Sequence, residues 1–333
     1  MTNEQLVQYE ATLLLRKYFH HGPKKIQEII NEIGIRSENE GKIAHWIYNE
    51  NIPFYSAPSP LLKALFYNQA YNLTLKLREL SDYQIKKAIR KKLKIRVPTT
   101  TIRNWKKGKS KPRISLKICK ELGYVMGVIK SDCRKSYPTL KVKDFDFASS
   151  YAKALEKVLD KKYLPHKKGG YYWVVVGISA LKYIASTSLW KIIAYMFPSE
   201  FLKGFFDGDG GVNIGVSTKQ LIVLIHCANT DGELIDFVEK LLKFMGILPH
   251  KYKVHRKSKD IYTIYISSKH DIEKFAYKIG FSIKRKQEKL EDALKILKSY
   301  GSGKKAIEKW MKLYYKRKGR WIKRKGQAQP RTA

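Results

Sequence analysis

The residues best suited to chemistry are two aspartates set among glycines, Asp207 and Asp209, in the stretch FLKGFFDGDGG from Phe201 to Gly211. The letters before them are apolar at helical spacing. Gly204 and Gly208 fall four apart on one face, where small residues let two helix backbones approach closely. Such a helix is built to pack against another. Its last turn carries partial negative charge from the macrodipole, so two carboxylates there are unfavourable unless a cation offsets them. Oxygen ligands, with no His or Cys cluster beside them, select a hard cation such as Mg²⁺ or Mn²⁺. The same letters also suit an ordinary helix cap, a surface turn or a fragment of a calcium loop.

A second, altered copy precedes it, LGYVMGVIKSDCR from Leu122 to Arg134. Aligning Gly127 with Gly204 puts Ser131 on Gly208 and Asp132 on Asp209. Lys130 then stands where the later copy has Asp207, and Cys133 where it has Gly210. The flanks repeat too. Each motif is followed by a strand pattern running into an amphipathic helix, from Leu140 and from Leu224, and then by another strand pattern, from Tyr171 and from Asp260. This is an internal duplication with pseudo-twofold symmetry.

The nine letters from Leu202 to Gly210, LKGFFDGDG, with their earlier copy, resemble the paired motifs of the LAGLIDADG homing endonucleases of single-chain type. The resemblance covers about residues 118 to 295. It implies an α+β fold, a duplicated αββαββα core whose two antiparallel sheets form a DNA-binding saddle. It implies Gly127, Ser131, Gly204 and Gly208 at a helix interface, and Asp132 and Asp209 as the catalytic, metal-binding acids. By position it also implies Lys269, mirrored by Lys182, as a catalytic cation, with Lys143 and Asn229 or Thr230 placing water. A family member of this kind hydrolyses both strands of double-stranded DNA at a long target site and leaves short 3′ overhangs. Divalent metal serves that reaction by activating water and neutralising charge on the phosphoryl and leaving oxygens. With no nucleophile at residue 1 and no terminal His-Asn, a free-standing or intron-encoded protein is expected rather than an intein.

Charge points to the same partner. Against 29 acidic residues the 333-residue chain carries 67 Lys and Arg, a net charge of +38. A chain so charged repels itself, so a polyanion is the expected companion, and nucleic acid is the commonest. The rival polyanion is an anionic membrane surface. No run reaches the roughly 18 to 20 apolar residues of a membrane span, and MTNEQLVQYE lacks the blocks of a signal peptide. An intracellular protein, cytoplasmic or nucleoid-associated, is therefore expected, monomeric through its internal symmetry. The abundant Lys, Tyr and Ile are compatible with a thermophilic, archaeal-like source, although basicity alone gives a similar count. Cys119, Cys133 and Cys227 form no CxxC pair, so neither a disulfide framework nor a zinc knuckle is expected.

The remaining chain divides by pattern into residues 1–56 and 57–115, two helix-turn-helix-like modules aligned on Trp46 and Trp105; 116–200 and 201–299, the two repeats; and 300–333, a basic extension. In the second module Thr100, Thr101, Arg103 and Asn104 are candidates for base edges. Lys106, Lys107, Lys109 and Lys111 are candidates for phosphates. Lys42 and His45 are their counterparts in the first module, whose turn carries Glu38 and Glu40. In the tail, KRKGRWIKRKG with Trp310, Tyr314, Tyr315 and Trp321 around it is expected to be solvated and suited to lying along a nucleic acid backbone. On the strands of the second repeat, Asn213, Gly215, Ser217, His226, Lys251, Lys253, His255, Thr263 and Tyr265 fall on plausible groove faces, which a one-residue slip in register would exchange. The altered first motif keeps a second reading open, a catalytically decayed DNA-binding regulator or RNA-binding splicing cofactor on the same scaffold.

Overall fold

A computed structural model describes residues 3–49, 52–53, 58–112, 115–133, 137–256 and 259–324. The chain divides into two compact units, Met1–Phe201 and Leu202–Ala333.

The first unit begins with six helices: α1 (Asn3–Phe19), α2 (Pro23–Glu32), α3 (Glu40–Tyr48), α4 (Pro60–Lys76), α5 (Asp82–Leu93) and α6 (Thr99–Lys106). Side chains start three of them. Asn39 accepts from the Lys42 amide, Ser59 from that of Leu62, and Ser81 with Gln84 closes a capping box on α5. Lys94 turns the chain in the left-handed region at φ 54°. Helix α6 has Pro98 as its N-cap and no side-chain cap, so Thr99 to Thr101 lie inside the helix. Leu62, Phe66, Ile85, Ile89, Ile102 and Trp105 form one buried cluster holding α4, α5 and α6 together.

The first repeat follows as α7 (Lys120–Ser131), β1 (Leu140–Val142), α8 (Phe145–Leu159), β2 (His166–Lys168), β3 (Tyr171–Val174), α9 (Ser179–Ser186) and α10 (Leu189–Met196). Its sheet has the antiparallel order β1-β3-β2. Gly169 and Gly170, at φ 59° and 77°, supply the two left-handed residues of the tight turn between β2 and β3. Helix α11 (Pro198–Asp209) spans the division between the units.

The second unit continues with β4 (Gly210–Val216), β5 (Leu221–Asn229), α12 (Gly232–Phe244), β6 (His250–Arg256), β7 (Lys259–Ile266), α13 (Lys269–Lys278), α14 (Lys284–Tyr300), α15 (Lys304–Leu313), β8 (Tyr314–Arg317) and β9 (Arg320–Lys323). Strands β4-β5-β7-β6 form one antiparallel sheet, and β8-β9 a separate hairpin. Alternation along β5 buries Leu221, Val223, Ile225 and Cys227 and leaves Ile222 exposed and His226 half-buried on the other face.

The architecture is the mixed one expected, helices with antiparallel sheets, but the copies are unequal. Strands of the first repeat run three, three and four residues. Those of the second run seven to nine. No strand corresponding to β4 occurs among the described residues of the first copy, where Pro138 lacks the amide that a ladder needs.

Candidate active site

Helix α11 passes into β4 with no intervening loop, because Gly210 occupies a position where any Cβ would stand 2.7 Å from the Phe206 carbonyl oxygen. The two acids at this junction have different fates. Asp207 is 1% exposed. Its carboxylate accepts from the backbone amides of Ser282 at 2.9 Å and Ile283 at 3.4 Å, and from the Ser282 hydroxyl, at the entry to α14. It is a structural anchor. Asp209, two residues on, is half-buried, and its Oδ2 accepts from the Asn229 side-chain amide at 2.5 Å. Asn229 is held in turn, its Oδ1 accepting from the Asp231 amide at 2.8 Å.

The cation that the helix end demands is partly the protein's own. Lys286 on α14 is 8% exposed, and its ammonium donates to the carbonyls of Phe206 at 3.1 Å, Asp207 at 2.5 Å and Gly210 at 2.6 Å. Those of Phe206 and Asp207 are carbonyls that a helix C-terminus leaves without intrahelical partners, at the negative pole of its dipole, and that of Gly210 follows at the start of β4. The charge conflict read from DGDG is thus met at the helix end by Lys286 and at Asp207 by the amides of Ser282 and Ile283. Around Asp209, burial and the charges of Lys286 and Lys289 lower the pKa of His226. Burial, then the charge of Asp209, raises that of Cys227. His226 and Cys227 lie on opposite faces of β5 and so cannot share a metal.

At the other motif, Asp132 is the exposed C-cap of α7, its amide donating to Val128 at 3.0 Å. The Ser131 hydroxyl turns back onto its own helix, to the Gly127 and Val128 carbonyls. Lys130 places its ammonium 4.6 Å from the Trp190 ring centroid. A close approach is made at Gly123, one turn before Gly127. A Cβ on Gly123 would lie 2.7 Å from that of Phe197, just ahead of α11, and 3.4 Å from that of Glu200. The signal was present, since Gly123, Gly127 and Ser131 recur every fourth residue.

Residues 196–280 match the family model described as a LAGLIDADG-like domain. An uncharacterised protein of Methanocaldococcus jannaschii is 30% identical over 271 residues, covering 70% of this chain and 97% of that protein. The chain belongs to the LAGLIDADG family. Among solved structures, I-DmoI in complex with DNA and Ca aligns with TM-score 0.39 at 17% identity, over 52% of this chain and 98% of that one. The LAGLIDADG meganuclease I-AabMI bound to uncleaved DNA aligns with TM-score 0.39 at 11% identity, over 57% and 97%.

The other residues expected to serve a LAGLIDADG site have local partners or lie exposed. Lys269 is the exposed first residue of α13, its ammonium 4.0 Å from Glu273. Lys286 is a lysine in direct contact with the end of α11. Thr230 is exposed, and Lys143 lies 5.4 Å from the Tyr171 ring. Of the water-positioning candidates, Asn229 is the one in contact with a motif acid. In the second sheet, His226 pairs with Tyr265 and Gly211, and Tyr265 with His250, so these share the open face with Asn213, Gly215 and Thr263. Lys251, Lys253 and His255 have the opposite parity. Lys251 reaches Asp236 and Glu239 of α12 at 2.6 and 2.9 Å, and Lys253 and His255 pair with Asp260, so β6 offers His250, Tyr252 and Val254 to the open face instead.

Outside the LAGLIDADG-like domain, Arg103 and Asn104 are exposed on α6, Thr101 is half-buried, and Lys107 and Lys109 follow exposed at its end. Arg103 and Lys106 converge on Asp82 at 3.1 and 3.6 Å. With Arg78, Glu79 and Lys107 they line a depression of about 580 Å³. In the first module Lys42 is paired with Glu38 at 2.8 Å. None of the helices described is long and apolar enough to cross a membrane.

Proposed function

We propose that this protein is a site-specific double-strand DNA endonuclease in which Asp132 and Asp209, one from the end of each motif helix, hold divalent metal against the scissile phosphates. The observation that carries the reading is the state of Asp209. It closes the motif helix of the LAGLIDADG-like domain, half-buried and oriented by Asn229, while its neighbour Asp207 is consumed by the fold. The donor set fits a hard cation. Among the described residues no group of three or more His, Cys, Asp or Glu side chains could hold a metal. One carboxylate per helix, with phosphate oxygens and water completing the shell, is the way Mg²⁺ is usually bound. When bound, the metal supplies an activated water and charge neutralisation at phosphorus.

Within this reading Asn229 holds the Asp209 carboxylate in one rotamer, Lys286 fixes the helix end that carries it, and the open face of β4, β5, β7 and β6 lies against the groove. The basic surface of α6 and the lysines after it adds contacts to the duplex flanks. Incubating the purified protein with plasmid libraries and Mg²⁺ or Mn²⁺ is expected to yield cleavage. Asp209→Asn is expected to abolish it while leaving duplex affinity nearly unchanged; loss of affinity together with cleavage, or cleavage that persists, would refute the assignment.

A second reading rests on the first copy, where Lys130 packs on Trp190 in place of an acid and the strands are short. A DNA-binding regulator or RNA-binding cofactor would bind tightly and with salt sensitivity in the same assay, and would never cut.

A further inference from the structure

The basic tail is a folded prong. Helix α15 ends at Leu313, and Tyr314–Arg317 pairs antiparallel with Arg320–Lys323 across Lys318 and Gly319, at φ 47° and 75°, the two left-handed residues of a tight hairpin turn. Its base is fastened to the second unit. Trp310 stacks on Tyr314 with ring centroids 4.1 Å apart and meets Trp321 edge-on at 6.0 Å. Tyr314 donates to Asp292 at 2.7 Å, and Lys323 reaches the same carboxylate at 2.7 Å. The Trp321 indole donates to the Ile214 carbonyl at 2.9 Å. Ile214 lies on β4, the edge strand of the sheet, so the indole also satisfies a carbonyl that an edge leaves unpaired.

The tip is built against its own stability. Arg317 is the cross-strand partner of Arg320, with Lys318 in the turn between them, all three are exposed, and the stretch from Tyr314 to Arg324 contains no acid. Like charges directly opposite one another destabilise a hairpin. Covering the edge of β4 needs only Trp321 and the aromatic base, and does not explain three cations crowded at the far end. A local rule broken without a compensating contact marks a functional place, and the group that relieves mutual repulsion among cations is an anion.

We infer that the β8–β9 hairpin is a fixed phosphate clamp, gripping the backbone of duplex DNA beyond the edge of the second sheet. The choice of duplex DNA rests on the endonuclease reading. A prong held by its aromatic base presents its cations without first ordering a mobile tail, which lowers the entropy cost of the contact.

The test uses the full chain bound to uncut duplex DNA in Ca²⁺, with Arg317→Gln, Lys318→Gln and Arg320→Gln combined. Each phosphate contact contributes about 0.9 to the slope of log K against log salt, so the variant is expected to flatten that slope by about 2 to 3. Relief of repulsion is expected to leave its melting temperature no lower than that of the parent. A control combining Lys153→Gln, Lys161→Gln and Lys162→Gln removes equal charge from exposed positions on α8 and just after it and is expected to change the slope by less than one contact. An unchanged slope in the hairpin variant, an equal change in the control, or loss of binding to phosphatidylserine vesicles without loss on DNA would each overturn the clamp. The two proposals separate cleanly: a flattened slope in a protein that never cuts in Mg²⁺ removes the nuclease and keeps the clamp, and cutting with an unaltered slope does the reverse.

Discussion

The two motif helices differ most at the residue two positions before their final acid. In α11 this is Asp207, buried and held by the amides of Ser282 and Ile283. In α7 it is Lys130, half-buried with its ammonium over Trp190. The charge has inverted and so has the partner, from the positive ends of N–H dipoles to the negative face of an aromatic ring. What both copies need at this position is a matched partner, not an acid. The last position behaves differently, since Asp132 and Asp209 are both carboxylates and neither is fully buried. Under the endonuclease proposal, chemistry holds one position constant, and packing allows the other to change with its neighbour.

The largest expected effect sets the two last acids against each other. Asp132→Asn and Asp209→Asn are each expected to lower plasmid cleavage by about 10³-fold, the equivalent of about 4 kcal/mol of metal-dependent stabilisation. Because the acids act as a unit, the double variant is expected to be no slower than either single one. Single-strand nicking that survives Asp132→Asn alone would show that the copies are not equivalent.

Next comes the brace at the end of α11. Lys286→Met leaves three carbonyls without their donor, and urea unfolding is expected to show a loss of about 3 kcal/mol. A loss under about 1 kcal/mol would mean that water replaces the ammonium at no cost.

The units are also expected to respond to pH in opposite directions. In the first, burial raises the Glu10 carboxyl to about 7, against the lowering effect of bonds from Ser59 and Tyr183. The folded pKa exceeds the unfolded value, so this contribution is full below the ordinary carboxylate pKa of 4.5 and is lost as pH rises through about 7. In the second, the pKa of His226 is lowered, so its contribution is present above the ordinary value and is lost as pH falls through the folded one. Melting curves of Glu10→Gln are expected to lose the decline between pH 4.5 and 7 and to gain about 2 to 3 kcal/mol above it. A parent whose stability is flat across that range would contradict this account.

The smallest effect belongs to Lys130. Lys130→Met keeps the stem on Trp190 and removes a cation–π contact, for an expected cost under about 1 kcal/mol. A cost matching that of Lys286→Met would make the ammonium at Lys130 a brace as well and erase the contrast between the copies.

Much of this was legible in the sequence because it is local. The spacing of Gly204 and Gly208, the DGDG that follows, the altered copy at Gly127 and the repeated flanks all lie within short windows. Lys286 could not be found that way, since it meets α11 across nearly eighty residues and stands in a run, KRKQEK, whose other cations look alike. The strand β6 misled for another reason. In HKYKVHR the parity carrying Tyr252 and Val254 reads as the covered one, but Asp236 and Glu239 on α12 draw Lys251 to the covered side and leave Tyr252 and Val254 on the open one. The tail hid its hairpin behind its charge, although Lys-Gly between aromatic-rich segments was a readable turn.

The buried Glu10 also decides how the amino-terminal helices can be studied. On α1, it accepts from Ser59, the N-cap of α4, and from Tyr183 on α9 at 2.8 Å, so it joins the leading helices to the body of the first repeat. Trimming residues 1–56 would remove the carboxylate that these two hydroxyls donate to and unroof the helices they serve. The leading segment is therefore a keystone rather than an appendage, and the DNA contacts proposed for it are to be tested by single surface substitutions in the intact chain.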